Sequence, residues 1–95
     1  MFNIGTAQQL LKSYELSRQH LSQSYALAYK IDDFLTQGKA SGSIGHLEKE
    51  LREYDKALTY HQKALKLYIK ANSEQSIVES YKDIGGIYYW LSNNL

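Results

Sequence analysis

A spacing of 40 residues recurs along this chain and constrains its fold more than any other feature of the sequence. The dipeptide Ile-Gly stands at positions 4–5, 44–45 and 84–85, and a leucine follows each glycine six positions later. Similarity at a fixed period is typical of repeat architectures, in which each unit packs mainly on its neighbours. The period therefore predicts a stack of similar units, within a single domain of 95 residues.

Within each unit, apolar residues recur every three or four positions, which indicates amphipathic helices. The absence of proline removes the strongest helix breaker. The clearest inward stripe consists of Tyr54, Ala57, Leu58, His61, Ala64, Leu65 and Tyr68. Segment 37–43, rich in glycine and serine, is the most loop-like. The pattern predicts corners at 12–13 and 52–53, a closing turn at 72–73, and five helices at 3–11, 14–34, about 39–51, 54–71 and 74–91.

Composition excludes several classes of function. The net charge of +1, from 11 basic and 10 acidic residues, lacks the basic excess of a nucleic-acid-binding surface. The absence of cysteine excludes disulfides and cysteine-ligated zinc, and it fits a reducing compartment. No apolar run approaches the roughly 20 residues of a membrane span, and the first residues lack signal-peptide character. We therefore expect a cytoplasmic protein that binds neither nucleic acid nor membrane.

The middle unit resembles the tetratricopeptide repeat in its longer, 40-residue form. Gly45, Ala57 and Ala64 fall on the three small positions of that family, where two helices approach closely. The sequence YDKAL at 54–58 is similar to the usual opening of its second helix. The first unit departs most, because serines replace its two alanines. The third unit adds Tyr81, Gly85 and Tyr88 at family positions, and we expect Tyr81 to be buried and Gly85 to allow close packing.

The resemblance implies an all-α, right-handed superhelix of antiparallel helix pairs, with about five helices. It divides the chain into repeat 1 at 1–36 with a clipped first helix, repeat 2 at 37–72, and the first helix of repeat 3 at 73–95. The last helix then carries apolar residues without a pairing helix. Either the chain is a fragment of a longer array, which we favour, or a second copy covers this face. Both readings predict an oligomer of the isolated chain.

In this family the first helix of each pair lines a concave groove that binds a peptide or protein segment. Tyr89 and Trp90 lie off the core stripe, so they either anchor a partner or pack on another helix or another copy. None of the residues that follow the three repeat glycines is the asparagine used by the subtype that grips a peptide carboxylate. By repeat position, the groove candidates are Thr6, Gln9, Leu10, Gly42, His46, Lys49, Glu50, Lys82, Gly86, Tyr89 and Trp90.

No motif indicates catalysis, a cofactor or a metal. The three histidines, His20, His46 and His61, include no pair at the one-turn spacing of a helical zinc site. His61 is interpreted as a half-buried packing residue and His46 as an exposed one. The glycine-rich segment 38–45 lacks the first glycine of a phosphate-binding loop. The sequence therefore predicts no catalytic residue, no cofactor and no metal ligand.

Two functions follow from the resemblance. The first is a non-enzymatic scaffold that binds a peptide or protein segment in its groove. The second is a sensory or regulatory input region of a bacterial signalling protein, such as a sensor kinase or a transcription regulator, which responds to a peptide or small ligand. An output domain in the parent protein would favour the second.

Overall fold

The chain folds into helices that are joined by tight turns. The computed structural model describes the backbone of residues 4–93 and the side chains of residues 10–93. Within this part there are four helices and no strand, so the all-α prediction is confirmed, and none of the four is long and apolar enough to cross a membrane. Each helix packs on the next along the chain. They are α1 (Ile4–Lys30), α2 (Phe34–Glu50), α3 (Tyr54–Lys70) and α4 (Glu74–Asn93).

The three turns share one geometry and are spaced 20 residues apart. Asp32, Arg52 and Asn72 adopt the left-handed conformation, with φ of 55°, 63° and 56°. In each turn the next residue donates its N–H to a carbonyl five positions back, as Glu53 does to Glu48 at 2.8 Å. This is a Schellman arrangement, which satisfies carbonyls that the end of a helix leaves without a partner. Three residues therefore suffice to reverse the chain direction at each turn.

The core lies between α2 and α3, where glycines of α2 let the rings of α3 approach its backbone. A Cβ atom built on Gly38 would lie 2.6 Å from Cε1 of Tyr68. A Cβ atom built on Gly45 would lie 2.9 Å from Nε2 of His61. Gly38 thus meets the later residue of α3 and Gly45 the earlier one, so the two helices run antiparallel.

The predicted close packing holds in the middle of the chain. Ala57 and Ala64 have no exposed surface, and Gly45 contacts His61. Gly85 differs, because a Cβ built there would meet nothing within 4 Å, and Tyr81 is 59% exposed rather than buried. These two assignments on α4 were wrong because no described residue covers that side of the helix. The side chain at position 5 lies outside the described residues.

The predicted corner at 12–13 is wrong, and with it the count of five helices. α1 continues through this segment from Ile4 to Lys30. Leu10 and Leu11 are 42% and 53% exposed, so none of the described helices packs here to stabilise a corner. A continuous helix keeps the backbone hydrogen bonds that a turn would give up, and without compensating packing it is favoured.

The loop-like segment 37–43 lies inside a helix, because α2 already begins at Phe34. Asp33 caps this helix by accepting a hydrogen bond from the backbone N–H of Thr36 at 3.1 Å. The hydroxyl of Thr36 donates to the same carboxylate at 2.6 Å, and these two hydrogen bonds hold the pKa of Asp33 below its usual value. The glycines lower the helix propensity of α2, but the contact with α3 requires them.

Alanine substitutions at the equivalent glycines 45 and 85 should have opposite effects on stability. Gly45→Ala forces its methyl against the buried ring of His61, and such overpacking costs about 1–3 kcal/mol. Gly85→Ala meets open space, so it should gain about 0.5–1 kcal/mol of helix propensity. Urea unfolding of both variants measures the two effects, and destabilisation by Gly85→Ala would contradict the open side of α4.

Replacing Arg52 by glycine should stabilise the turn between α2 and α3. Arg52 has φ of 63°, a conformation that costs a residue with a Cβ atom about 1 kcal/mol. The matched control is Arg52→Ala, which also removes the guanidinium but keeps the Cβ. We expect the free energy of unfolding of the glycine variant to exceed that of the alanine variant by about 1 kcal/mol, which corresponds to about 4–8 °C in Tm. Equal melting temperatures would show that the turn is not strained.

Candidate functional site

A groove runs between α2 and α4, and α3 forms its floor. It holds a cavity of about 260 Å³. A second cavity of about 320 Å³ continues along the same two helices, and Lys39 and Glu79 border both. The lining is mainly polar, so the groove offers hydrogen-bonding groups of both kinds and charges of both signs. The residues around the first cavity are Lys39, Gly42, Ser43, His46, His61, Tyr68, Glu79, Ser80 and Asp83.

Two imidazoles and one carboxylate converge in the first cavity. Nε2 of His46 lies 3.7 Å from Oδ2 of Asp83. Nδ1 of His61 lies 3.8 Å from the same oxygen. The two imidazole rings meet edge to face, with 4.9 Å between their centroids. Neither nitrogen is within hydrogen-bonding distance of the carboxylate, so the three side chains surround a shared space instead of bonding to one another.

Burial distinguishes the three side chains. His61 is 1% exposed, and its Nε2 is buried without a hydrogen-bond partner. His46 and Asp83 have side chains that are 56% and 34% exposed. Burial lowers the pKa of His61, with further lowering from the charges of His46 and Lys49, while Asp83 opposes the shift. The imidazole of His61 is therefore held neutral to lower pH than a free histidine.

The phenol of Tyr68 completes the polar wall beside these groups. Burial raises the pKa of Tyr68, and the nearby acids Glu79 and Asp83 raise it further. The phenol thus remains protonated and able to donate a hydrogen bond into the cavity. Its position follows from Gly38 and Gly42, because the Tyr68 ring covers the first and its hydroxyl would lie 3.5 Å from a Cβ on the second.

Of the predicted groove residues, His46 lines the cavity together with Gly42. Lys49 and Lys82 are exposed on α2 and α4. Glu50 lies at the end of α2, where its carboxylate accepts a 2.7 Å hydrogen bond from the hydroxyl of Tyr14 in α1. The side chains at positions 6 and 9, Thr6 and Gln9, lie outside the described residues.

The two predicted aromatic anchors have different surroundings. Tyr89 is 73% exposed. The ring of Trp90 stacks on Tyr54 of α3, with 4.0 Å between centroids and 21° between planes. Trp90 therefore packs against the chain itself, and of the two aromatic rings Tyr89 presents more surface to a partner.

A second groove lies on the opposite side, between α1 and α3, with α2 as its floor. Glu48 is 4% exposed, and its carboxylate is bound by Arg18 at 2.8 Å. Nε of Arg18 is buried without a partner. The ammonium of Lys63 lies 4.1 Å from the ring centre of Tyr25 across the same groove. These contacts tie α1 to α2 and α3, so this side is better explained as a structural interface.

The sequence did not indicate that His61 and Asp83 belong to one site. Local spacing could not reveal it, because the three side chains come from three different helices. The 40-residue period could have pointed to one of these residues, Asp83. It places Asp83 at the position of Ser43, one turn before His46 on the groove side of α2.

The stability of the protein should fall as the pH drops below about 6.5, the ordinary pKa of histidine. The unfolded chain then binds a proton that buried His61 resists, so protonation favours unfolding. The slope from this residue is at most about 1.4 kcal/mol per pH unit. His61→Phe, which keeps a ring over Gly45, should show a flatter profile in metal-free buffer, whereas His20→Asn serves as a control. Equal slopes for wild type and His61→Phe would contradict the burial effect.

Comparisons with known proteins identify no relative of this chain. No protein-family model matches it, and no curated protein or solved structure matches it either. The resemblance to tetratricopeptide repeats therefore depends on the residues of this chain alone.

Proposed function

We propose that this chain is a non-enzymatic interaction module of the tetratricopeptide type, which binds an extended peptide in the groove between α2 and α4. The observation that carries the proposal is that two cavities lie next to each other along these helices and share Lys39 and Glu79 as borders. A polar groove suits a peptide backbone, whose amides need both donors and acceptors. The absence of cysteine supports the cytoplasm as the place where it acts.

The repeat geometry supports the same proposal. α2 and α4 begin 40 residues apart, at Phe34 and Glu74, and both contribute residues to the groove. In the tetratricopeptide family the first helix of each pair faces the partner, and by the resemblance α2 and α4 are such first helices. Tyr89 lines neither cavity, and we propose it as an aromatic anchor beyond them, near the exposed end of α4.

A sensory input region that responds to a small ligand is the second candidate. The observation that favours it is the first cavity alone, whose volume of about 260 Å³ approaches the size of small-ligand sites. Titratable groups converge there, as they do at many ligand sites. Peptide length distinguishes the candidates, because an extended peptide needs both cavities while a small ligand needs one.

Peptides selected from a random library on the immobilised chain should bind in this groove. Ser43→Trp places a bulky ring in the first cavity and should weaken a selected synthetic peptide by at least about tenfold, or 1.4 kcal/mol. The matched control is Gln62→Trp, which adds the same ring on an exposed position of α3. Fluorescence anisotropy measures both affinities.

Truncation of the selected peptide tests the two candidates against each other. If the peptide occupies both cavities, shortening it from either end should lower its affinity stepwise. Full affinity in a fragment that fills one cavity would favour the small-ligand function. Equal binding to the Ser43→Trp and Gln62→Trp variants would contradict both, because the ligand would then lie outside the groove.

A further inference from the structure

We propose that His46, His61 and Asp83 bind one divalent transition-metal ion, with zinc as the best match, and leave a fourth coordination position open to the groove. Each side chain offers one ligand atom, and the three atoms lie within 4.8 Å of one another. They come from α2, α3 and α4, so one ion would join three helices. This inference does not depend on peptide binding, and neither proposal requires the other.

The distances fit an ion better than direct contacts between the side chains. Ligand bonds of about 2.0–2.2 Å in a tetrahedral site place neighbouring ligand atoms about 3.4 Å apart. The two nitrogen-to-oxygen distances, 3.7 and 3.8 Å, exceed this by only a few tenths of an ångström. The two imidazole nitrogens, which lie within 4.8 Å of each other, must approach by up to about 1.4 Å. Rotation of the half-exposed His46 can supply that movement.

His61 gives the site its fixed point. Its ring is held against the backbone of Gly45, where an added Cβ would lie within 2.9–3.1 Å of three ring atoms. The side chain is 1% exposed, yet Nε2 has no hydrogen-bond partner and Nδ1 is 3.8 Å from Asp83. A buried imidazole without hydrogen bonds needs an explanation. Coordination would give Nδ1 a partner, because that nitrogen faces the other two ligands, while Nε2 would stay buried against Gly45.

The donor set selects the class of metal. Two neutral imidazoles and one carboxylate match the three protein ligands of open zinc sites, in which water or a ligand takes the fourth position. Magnesium and calcium prefer shells of oxygen atoms and are disfavoured by the two nitrogens. Cobalt, nickel and copper share the preference for imidazole and can replace zinc in measurements. The cavity of about 260 Å³ leaves room for the fourth ligand.

Titration of the tag-free full chain with Zn²⁺ and Co²⁺ tests the site. We expect one ion per chain by calorimetry, a rise in Tm with zinc, and visible absorption of a tetrahedral cobalt complex. Magnesium should produce none of these. His46→Asn and Asp83→Asn each remove one ligand at a partly exposed position, so both should fold. Each should weaken zinc binding by more than about tenfold. Loss of a group that only hydrogen-bonds a metal ligand already costs about that much, and these variants remove a ligand itself.

The matched control is His20→Asn, which removes an exposed histidine of α1 and should leave zinc affinity unchanged. Equal zinc affinity in His46→Asn, Asp83→Asn and wild type would overturn the proposal. So would an equal loss in His20→Asn, or one ion per two chains, because the metal would then bind at the surface or between copies. No uptake from millimolar zinc would also overturn it.

Discussion

The contact between the glycines of α2 and the rings of α3 is the interaction on which the rest of the structure depends. Gly38 and Gly45 are seven residues apart, and so are the residues that cover them, His61 and Tyr68. Seven residues make nearly two helical turns, so both contacts fall on the same face of each helix. The backbones approach because no methyl group stands between ring and helix. The glycines cost about 1 kcal/mol each in helix propensity, which the burial of two rings offsets.

The same contact determines where the groove and its polar groups lie. The His61 ring covers Gly45 with Nε2 nearest to the glycine, so Nδ1 is directed towards Asp83 of α4. Because the Tyr68 ring covers Gly38, its hydroxyl reaches the cavity wall near Gly42. Larger side chains at the glycine positions would displace both rings and so change the α3 side of the cavity. The fold and the candidate site therefore share one set of constraints, and a change in one alters the other.

Features with a local cause could be predicted from the sequence, and features that need a distant contact could not. The bounds of α3 follow from its own amphipathic pattern, and the turns around Arg52 and Asn72 follow from the end of that pattern. The corner at 12–13 carries similar residues, but it lacks an opposing helix to stabilise it. Gly85 repeats the spacing of Gly45 without the ring that makes Gly45 necessary. The cluster of His46, His61 and Asp83 could not be predicted for the same reason, since its side chains meet only after three helices pack.

The two polar clusters beside α2 show why one is better explained by stability and the other by binding. Glu48 is almost fully buried, and its carboxylate is bound by Arg18 at 2.8 Å, so the cost of burying its charge is offset within the chain. Around Asp83 the nearest imidazole nitrogens stay at 3.7 and 3.8 Å, too far for hydrogen bonds. Polar groups that converge without bonding one another leave their interaction energy available to a third species. It is therefore in the groove between α2 and α4 that we propose a ligand binds.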